Sequence, residues 1–210
     1  MTSRLRYSPV GVAQHVVQRR NNKEPCFFDR EDRIGFLSRL QKYSQLYHAQ
    51  IHSWVLMSNH FHLLCTPLKE NGISDMMRSL SQSYVPFFNH KYQRTGKFWQ
   101  GRYFSAPVES ERYFLEVSRY IEMNPVRAEI VDSPDKYVWS SYRGNALGKP
   151  STLLTEHSVY HELGSDQESR LVAYRSLFED VLDKPALDFI RAQTQACRPI
   201  GGTDFITEIT

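Results

Sequence analysis

Two apolar runs, residues 51–57 and 61–66, are separated by little more than Ser58 and Asn59. So short a polar gap turns the chain back on itself as an antiparallel hairpin, although the turn lacks the glycine of the commonest type. Along a strand successive side chains alternate faces, so His60 and His62 share one face, while Phe61, Leu63 and Cys65 share the other. The hairpin therefore fixes a core side and a side that carries two imidazoles.

The flanking sequence supplies the other layers. Residues 10–19 are valine-rich, alternate loosely and predict a strand, followed by turn chemistry in Asn21-Asn-Lys-Glu-Pro25. Asp29 is placed to cap a helix that has Glu31 and Asp32 in its first turn and Ile34, Leu37, Leu40 and Tyr47 at helical spacing. After the hairpin, Ile73, Met76, Leu80, Tyr84 and Phe88 predict a second helix running to about Tyr92. Gly96 and Gly101 bracket a connection into a strand near 103–108. A third helix is expected to take Ser110 as its N-cap, with Glu111 in its first turn, and to stop at Asn124-Pro125, because proline disfavours α geometry in the residue before it. The order β-α-β-β-α-β-α begins with the split βαβ arrangement: an α+β, ferredoxin-like (RRM-like) antiparallel sheet with helices on one face. That fold hosts many activities, so the order alone assigns none.

Charge divides the chain. The total of +3 is mild, but residues 1–145 carry +7 and residues 146–210 carry −4. A polyanionic partner is to be sought on the first part. We read 1–145 as one domain and 146–210 as a small, acidic, mainly helical C-terminal extension. Its helices are expected near 168–182 and 185–195, and Pro199-Ile-Gly-Gly breaks the pattern. Three scattered cysteines without a C-x-x-C pair argue against a disulfide framework or a thiolate zinc knuckle. The N-terminus has no apolar signal core and no run is long enough to span a membrane, so a cytoplasmic setting is expected.

Three features carry chemistry. His60 and His62, two residues apart on one strand face, can reach a single divalent cation. Two rings packed on a sheet account for the same pair, and a metal site needs further ligands. Tyr120 and Asn124 lie at i and i+4, on one face at a helix end. A phenol is a candidate nucleophile and an amide oxygen a suitable Mg2+ ligand, yet Tyr113, Val117 and Tyr120 also form a stripe that packing explains. Finally, no acidic residue occurs between Asp75 and Glu109. That window holds Arg78, Lys91, Arg94, Lys97 and Arg102 interleaved with eight aromatics, Trp99 among them. Cations for phosphates and aromatic faces for bases suit a single-stranded nucleic-acid groove, although about half of these aromatics belong in a core.

Taken together, these segments resemble the REP-associated branch of the single-tyrosine HUH transposases. Asn59-His-Phe-His-Leu-Leu64 matches the His-hydrophobic-His motif, and Tyr120-Ile-Glu-Met-Asn-Pro-Val-Arg-Ala128 matches the tyrosine segment. His15-Val-Val-Gln-Arg19, Gly96-Lys-Phe-Trp-Gln-Gly-Arg102 and Trp139-Ser-Ser-Tyr142 follow the branch in the same order. The resemblance covers about residues 8–145. It implies a transposase that cleaves and rejoins single-stranded DNA, at stem-loop (REP-like) sites, through a 5′-phosphotyrosine on Tyr120. His60 and His62 would bind Mg2+ or Mn2+, with Asn124 at the position of a polar third ligand that is glutamine in some relatives. Gln18, Arg19 and Arg127 join Arg78, Lys91, Arg94, Lys97, Trp99 and Arg102 as candidate DNA contacts, and a monomer or homodimer is expected, since insertion-sequence relatives form dimers whereas the REP-associated branch can act as monomers. His15 lies near the expected metal, where a structural role is at least as good a reading. Two rival functions remain: a metal-dependent single-strand nuclease that uses water, and a non-catalytic nucleic-acid-binding module of the RRM kind.

Overall fold

A computed structural model describes residues 7–180 and 182–209, without the side chain of Glu111. Residues 1–6 of the N-terminus discussed above, and Val181 within the helix expected over 168–182, lie outside the described residues.

Strands β1 (Gln14–Arg19), β2 (Ala49–Leu56), β3 (His60–Pro67) and β4 (Phe104–Pro107) form one sheet in the order β2-β3-β1-β4, every neighbouring pair antiparallel. Helix α1 (Arg30–Leu46) crosses from β1 to β2, and α2 (Gly72–Lys91) crosses from β3 to β4. This is the ferredoxin-like order expected from the sequence. The β2–β3 turn closes on a bond from the Met57 amide to the His60 carbonyl (2.9 Å), so Ser58 and Asn59 are the whole loop. Asp29 caps α1 as its position predicted: its carboxylate accepts the Asp32 N–H at 2.9 Å, and the Asp32 carboxylate accepts the Asp29 N–H at 3.3 Å.

The strand alternation separates two cores. Val16, Leu56, Phe61, Leu63 and Cys65 face α1 and α2 and pack with Phe36, Leu40, Met76, Leu80, Tyr84 and Phe88. On the opposite face Val55, Leu64 and Ala106 pack against Phe114, Val117, Tyr120 and Ile121 of α3 (Ser110–Glu122). Each buried Leu, Ile or Phe contributes ~1.5–3 kcal/mol, so both layers hold the sheet. Glu109 rather than Ser110 takes the N-cap position of α3, and its carboxylate accepts the Gly202 N–H at 2.7 Å. The helix ends before Asn124-Pro125 as expected. The chain then makes one more turn, α4 (Asn124–Arg127), in which proline sits in the first turn, where no N–H is missed.

The rest of the chain wraps these layers. Short helices α5 (Tyr142–Asn145) and α6 (Ser158–His161) precede α7 (Gln167–Ser176), α8 (Lys184–Ala196) and α9 (Thr203–Ile209). The helix expected over 168–182 is thus shorter, and α9 was not expected: Gly201-Gly202 ends one segment and Thr203 begins another. Both sheet edges are covered, which blunts their tendency to pair with other chains. The Leu56 amide bonds to the Trp139 carbonyl and the Ser141 amide to the Trp54 carbonyl, each at 2.9 Å, along β2. The Ile200 amide bonds to the Pro107 carbonyl at 2.7 Å along β4. Among the described residues no helix is long and apolar enough to cross a membrane.

Candidate active site

A cavity of about 420 Å3 opens on the α3 face of the sheet. Its floor comes from two adjacent strands. Arg19 stands opposite His60 and Val17 opposite His62, with His15 further along β1. The pleat that sends Phe61 and Leu63 into the α1/α2 core sends both motif histidines here, with ring centroids 5.1 Å apart. Helix α3 crosses the floor and brings Tyr120 over it, 6.0 Å between ring centroids from His62 and 5.7 Å from His15. Asn124 joins from the next turn. Its Nδ2 donates to the carbonyls of Tyr120 (3.0 Å) and Ile121 (3.2 Å), satisfying acceptors that a helix end leaves open. The amide oxygen is then the atom Asn124 has to offer the cavity.

Burial sets the electrostatics. It pushes His60 down to about 4, with Arg19 acting in the same direction, and holds His62 well below the usual imidazole range. Neutral imidazoles keep a lone pair at physiological pH. His60 Nδ1 lies 2.6 Å from Asn59 Oδ1, an oxygen that can only accept. The proton of His60 therefore sits on Nδ1, and Nε2 holds the lone pair. His62 Nδ1 is 2.9 Å from His15 Nε2, and His15 Nδ1 is 2.8 Å from Thr194 Oγ1. Among the described residues no three His, Cys, Asp or Glu side chains are grouped to hold a metal. The donor set on offer is two imidazole nitrogens and one amide oxygen, all neutral. This set suits a divalent cation whose other positions are filled by oxygens of a substrate or water.

Arg127 sits over the Tyr120 ring, its guanidinium carbon 4.4 Å from the ring centroid, and donates to the Tyr120 carbonyl. Burial, with Arg191 acting in the same direction, brings its pKa down only to about 10, so it stays cationic. Of the candidate DNA contacts, exposed Arg19 also lines the cavity. The others do not. Gln18 is buried on the opposite face, 3.5 Å from the Gly101 carbonyl. Trp99 is in the core against Phe61 and Phe98, which withholds its face from a base. Lys91 is held by Asp29, Glu31 and Asp32 at 2.7–3.0 Å. Arg94 pairs with Glu24 at 2.6 Å and Arg78 with Asp75 at 3.0 Å. Lys97 and Arg102 are exposed on the connection before β4.

One wall of the cavity, formed by α8, has no counterpart in any motif of the sequence. Arg191, Thr194 and Gln195 line the cavity, as do Gln100 and Phe104. None of the three α8 residues belongs to a local pattern, and Thr194 meets His15 across 179 positions of chain. Glu122, the last residue of α3, is likewise not singled out by any pattern in the sequence. This carboxylate is fully buried and accepts from Ser141 Oγ, Asn145 Nδ2 (2.9 Å) and the Tyr174 hydroxyl (3.0 Å). Burial pushes it up to about 7 against those three bonds.

Residues 10–124 match the family model described as Transposase IS200 like. No curated protein matches the chain in sequence. Among solved structures, a REP-associated tyrosine transposase bound to a REP hairpin superposes with a TM-score of 0.57 at 18% identity, over 75% of this chain and 93% of that one. At this identity the likeness is one of fold. A candidate transposase from Deinococcus radiodurans R1 aligns over 58% of this chain and 96% of its own, at 16% identity and a TM-score of 0.41.

Proposed function

The chain belongs to the IS200-like transposase family, and on that premise we propose that it cleaves and rejoins single-stranded DNA with Tyr120 as nucleophile, at hairpins of the REP type. The observation that carries this reading is the meeting of Tyr120 with His60 and His62 on one cavity, from elements about 60 residues apart in sequence. Segments 96–102, 120–128 and 139–142, together with the likeness of fold to a REP-associated enzyme bound to its hairpin, support the REP-associated branch.

His60 Nε2, His62 Nε2 and Asn124 Oδ1 would hold Mg2+ or Mn2+. When bound, such a cation supplies Lewis-acid stabilisation of the phosphate oxygens, undiminished by its neutral ligands. The side chains do the rest. α3 and the Arg127 guanidinium fix the Tyr120 ring, so that its hydroxyl meets a bound phosphodiester from one direction. The phenol oxygen bonds to phosphorus as the bond to the 3′ oxygen breaks. The phenol proton is lost and the departing oxygen gains one, which leaves a 5′-phosphotyrosine and a free 3′-OH. A second 3′-OH reverses the step without a nucleotide cofactor.

We infer that residues 1–145 form the catalytic domain and that the extension, 146–210, closes one side of its cavity through α8. The test is incubation of labelled single-stranded hairpins with the protein and Mn2+ or Mg2+. A covalent protein–DNA product is expected from the wild type and none from Tyr120→Phe. Full cleavage by Tyr120→Phe, with no adduct in the wild type, would instead establish a water-using nuclease.

A further inference from the structure

We propose that His15 and Thr194 are positioning residues: a hydrogen-bond relay running from α8 along the cavity face of the sheet fixes the tautomer of His62 and so directs its Nε2 lone pair into the cavity. The inference rests on the reading of His62 as a ligand, but its first observable does not.

The direction of each bond follows from what each atom can do. Thr194 Oγ1 lies 2.7 Å from the Ile190 carbonyl, which only accepts, so the single hydroxyl proton of Thr194 goes there. The same Oγ1 is 2.8 Å from His15 Nδ1, and with its proton committed it must accept. His15 therefore carries its proton on Nδ1 and leaves Nε2 as an acceptor. That Nε2 is 2.9 Å from His62 Nδ1, which must then donate. His62 is left with an unprotonated Nε2, the same tautomer that Asn59 imposes on His60. The two ligand nitrogens are thus set by separate devices. Asn59 is the immediate neighbour of His60, whereas Thr194 reaches His62 through a second ring and 132 positions of sequence.

The geometry is held in place. His15 is 1% exposed and Thr194 4%, so water does not compete for either bond. The His15 and His62 rings stack at 20° with centroids 5.2 Å apart, and Tyr120 stands edge-on to both. His15 cannot itself serve as a ligand in this arrangement, because both of its nitrogens are engaged. The relay also makes the acidic extension part of the site. Without α8, His15 loses its acceptor and either tautomer of His62 becomes available. Outer groups that orient a ligating histidine typically affect metal affinity 10–100-fold.

Long-range 1H–15N NMR on the metal-free protein at pH 7.5 reads the tautomers directly. We expect the proton on Nδ1 in both His15 and His62 of the wild type. In Thr194→Val the Nε2–H form of His62 should appear, and Thr194→Ser should restore the wild-type pattern. Mn2+ titration followed by electron paramagnetic resonance should show ~10-fold or greater loss of affinity in Thr194→Val and near-wild-type affinity in Thr194→Ser. An Nε2–H tautomer of His62 in the wild type would overturn the relay, and this reading needs no variant to fold. Unchanged tautomers and unchanged Mn2+ affinity in a folded Thr194→Val would overturn it as well. If the wild type binds no Mn2+ with or without hairpin DNA, the metal reading fails, while the tautomers still decide the relay.

Discussion

Arg127 lies across the face of Tyr120, 4.4 Å from guanidinium carbon to ring centroid, and bonds back to the carbonyl of the same residue. One side chain thereby fixes the ring and keeps a positive charge beside it. A desolvated cation over an aromatic face is worth roughly 2 kcal/mol, or ~30-fold in rate if the contact is realised in the transition state. Arg127→Ala should slow formation of the Tyr120–DNA adduct by about that factor in single-turnover experiments. Arg127→Lys, which keeps the charge and loses the plane, should fall between. Unaltered adduct kinetics in Arg127→Ala would show that the contact is only packing.

Arg19 and Lys91 should behave oppositely, although both were candidate DNA contacts. Arg19 is exposed on the cavity rim, whereas Lys91 is held by three carboxylates. Each phosphate neutralised on a single strand adds about 0.7 to the salt slope of log affinity. Arg19→Ala should weaken hairpin binding and reduce that slope by about 0.7. Lys91→Ala should leave the slope unchanged and lower the melting temperature, since Asp32, fully buried, loses its cation. Filter binding across a salt series and a thermal melt separate the two.

Glu122 joins α3 to the segments that wrap it. Its oxygens accept from Ser141, Asn145 and Tyr174; truncation takes the acceptor from the buried Tyr174 hydroxyl, while Ser141 Oγ and Asn145 Nδ2 keep the Trp54 and His52 carbonyls. Glu122→Ala should lose about 3 kcal/mol in urea unfolding, and Glu122→Gln about 1 kcal/mol, because an amide oxygen keeps part of the network. Equal stability of Glu122→Ala and the wild type would remove it as the link between these layers.

His52 predicts acid sensitivity. It is buried at a bulge in β2, with Nδ1 donating to the Thr155 carbonyl (2.7 Å) and Nε2 accepting from Thr66 Oγ1 (2.9 Å). Burial pushes its pKa down to about 4. The unfolded chain then takes up a proton near pH 6.5 that the folded chain refuses until about pH 4. The associated stability is full above pH 6.5 and is lost as pH falls towards 4, to a total of about 3 kcal/mol. Urea midpoints measured between pH 7 and 4 should fall less steeply in His52→Gln than in the wild type; parallel curves would rule His52 out as a source of the loss.

The order of the four strands and first three helices, the capping by Asp29 and the shared face of His60 and His62 were all legible in the residues, because each follows from periodicity or from neighbours a few positions apart. Tyr120 and Asn124 were legible as a pair for the same reason. In the aromatic window 84–104, periodicity marked Tyr84 and Phe88 and the rest was legible only as composition: burial of Tyr84, Phe88, Phe98, Trp99 and Tyr103 makes it mostly core, with Phe104 left on the cavity.

Which side chains share a strand face or a helix turn follows from the order of the residues alone, since backbone geometry dictates those relations wherever the element lies. Packing of the whole chain is what lays Tyr120 of α3 over the histidines, sets Thr194 of α8 against His15 and buries Glu122. Those contacts depend on how sheet and helices stack to bury both faces of the sheet, and partners up to 179 positions apart leave no periodic trace in the chain.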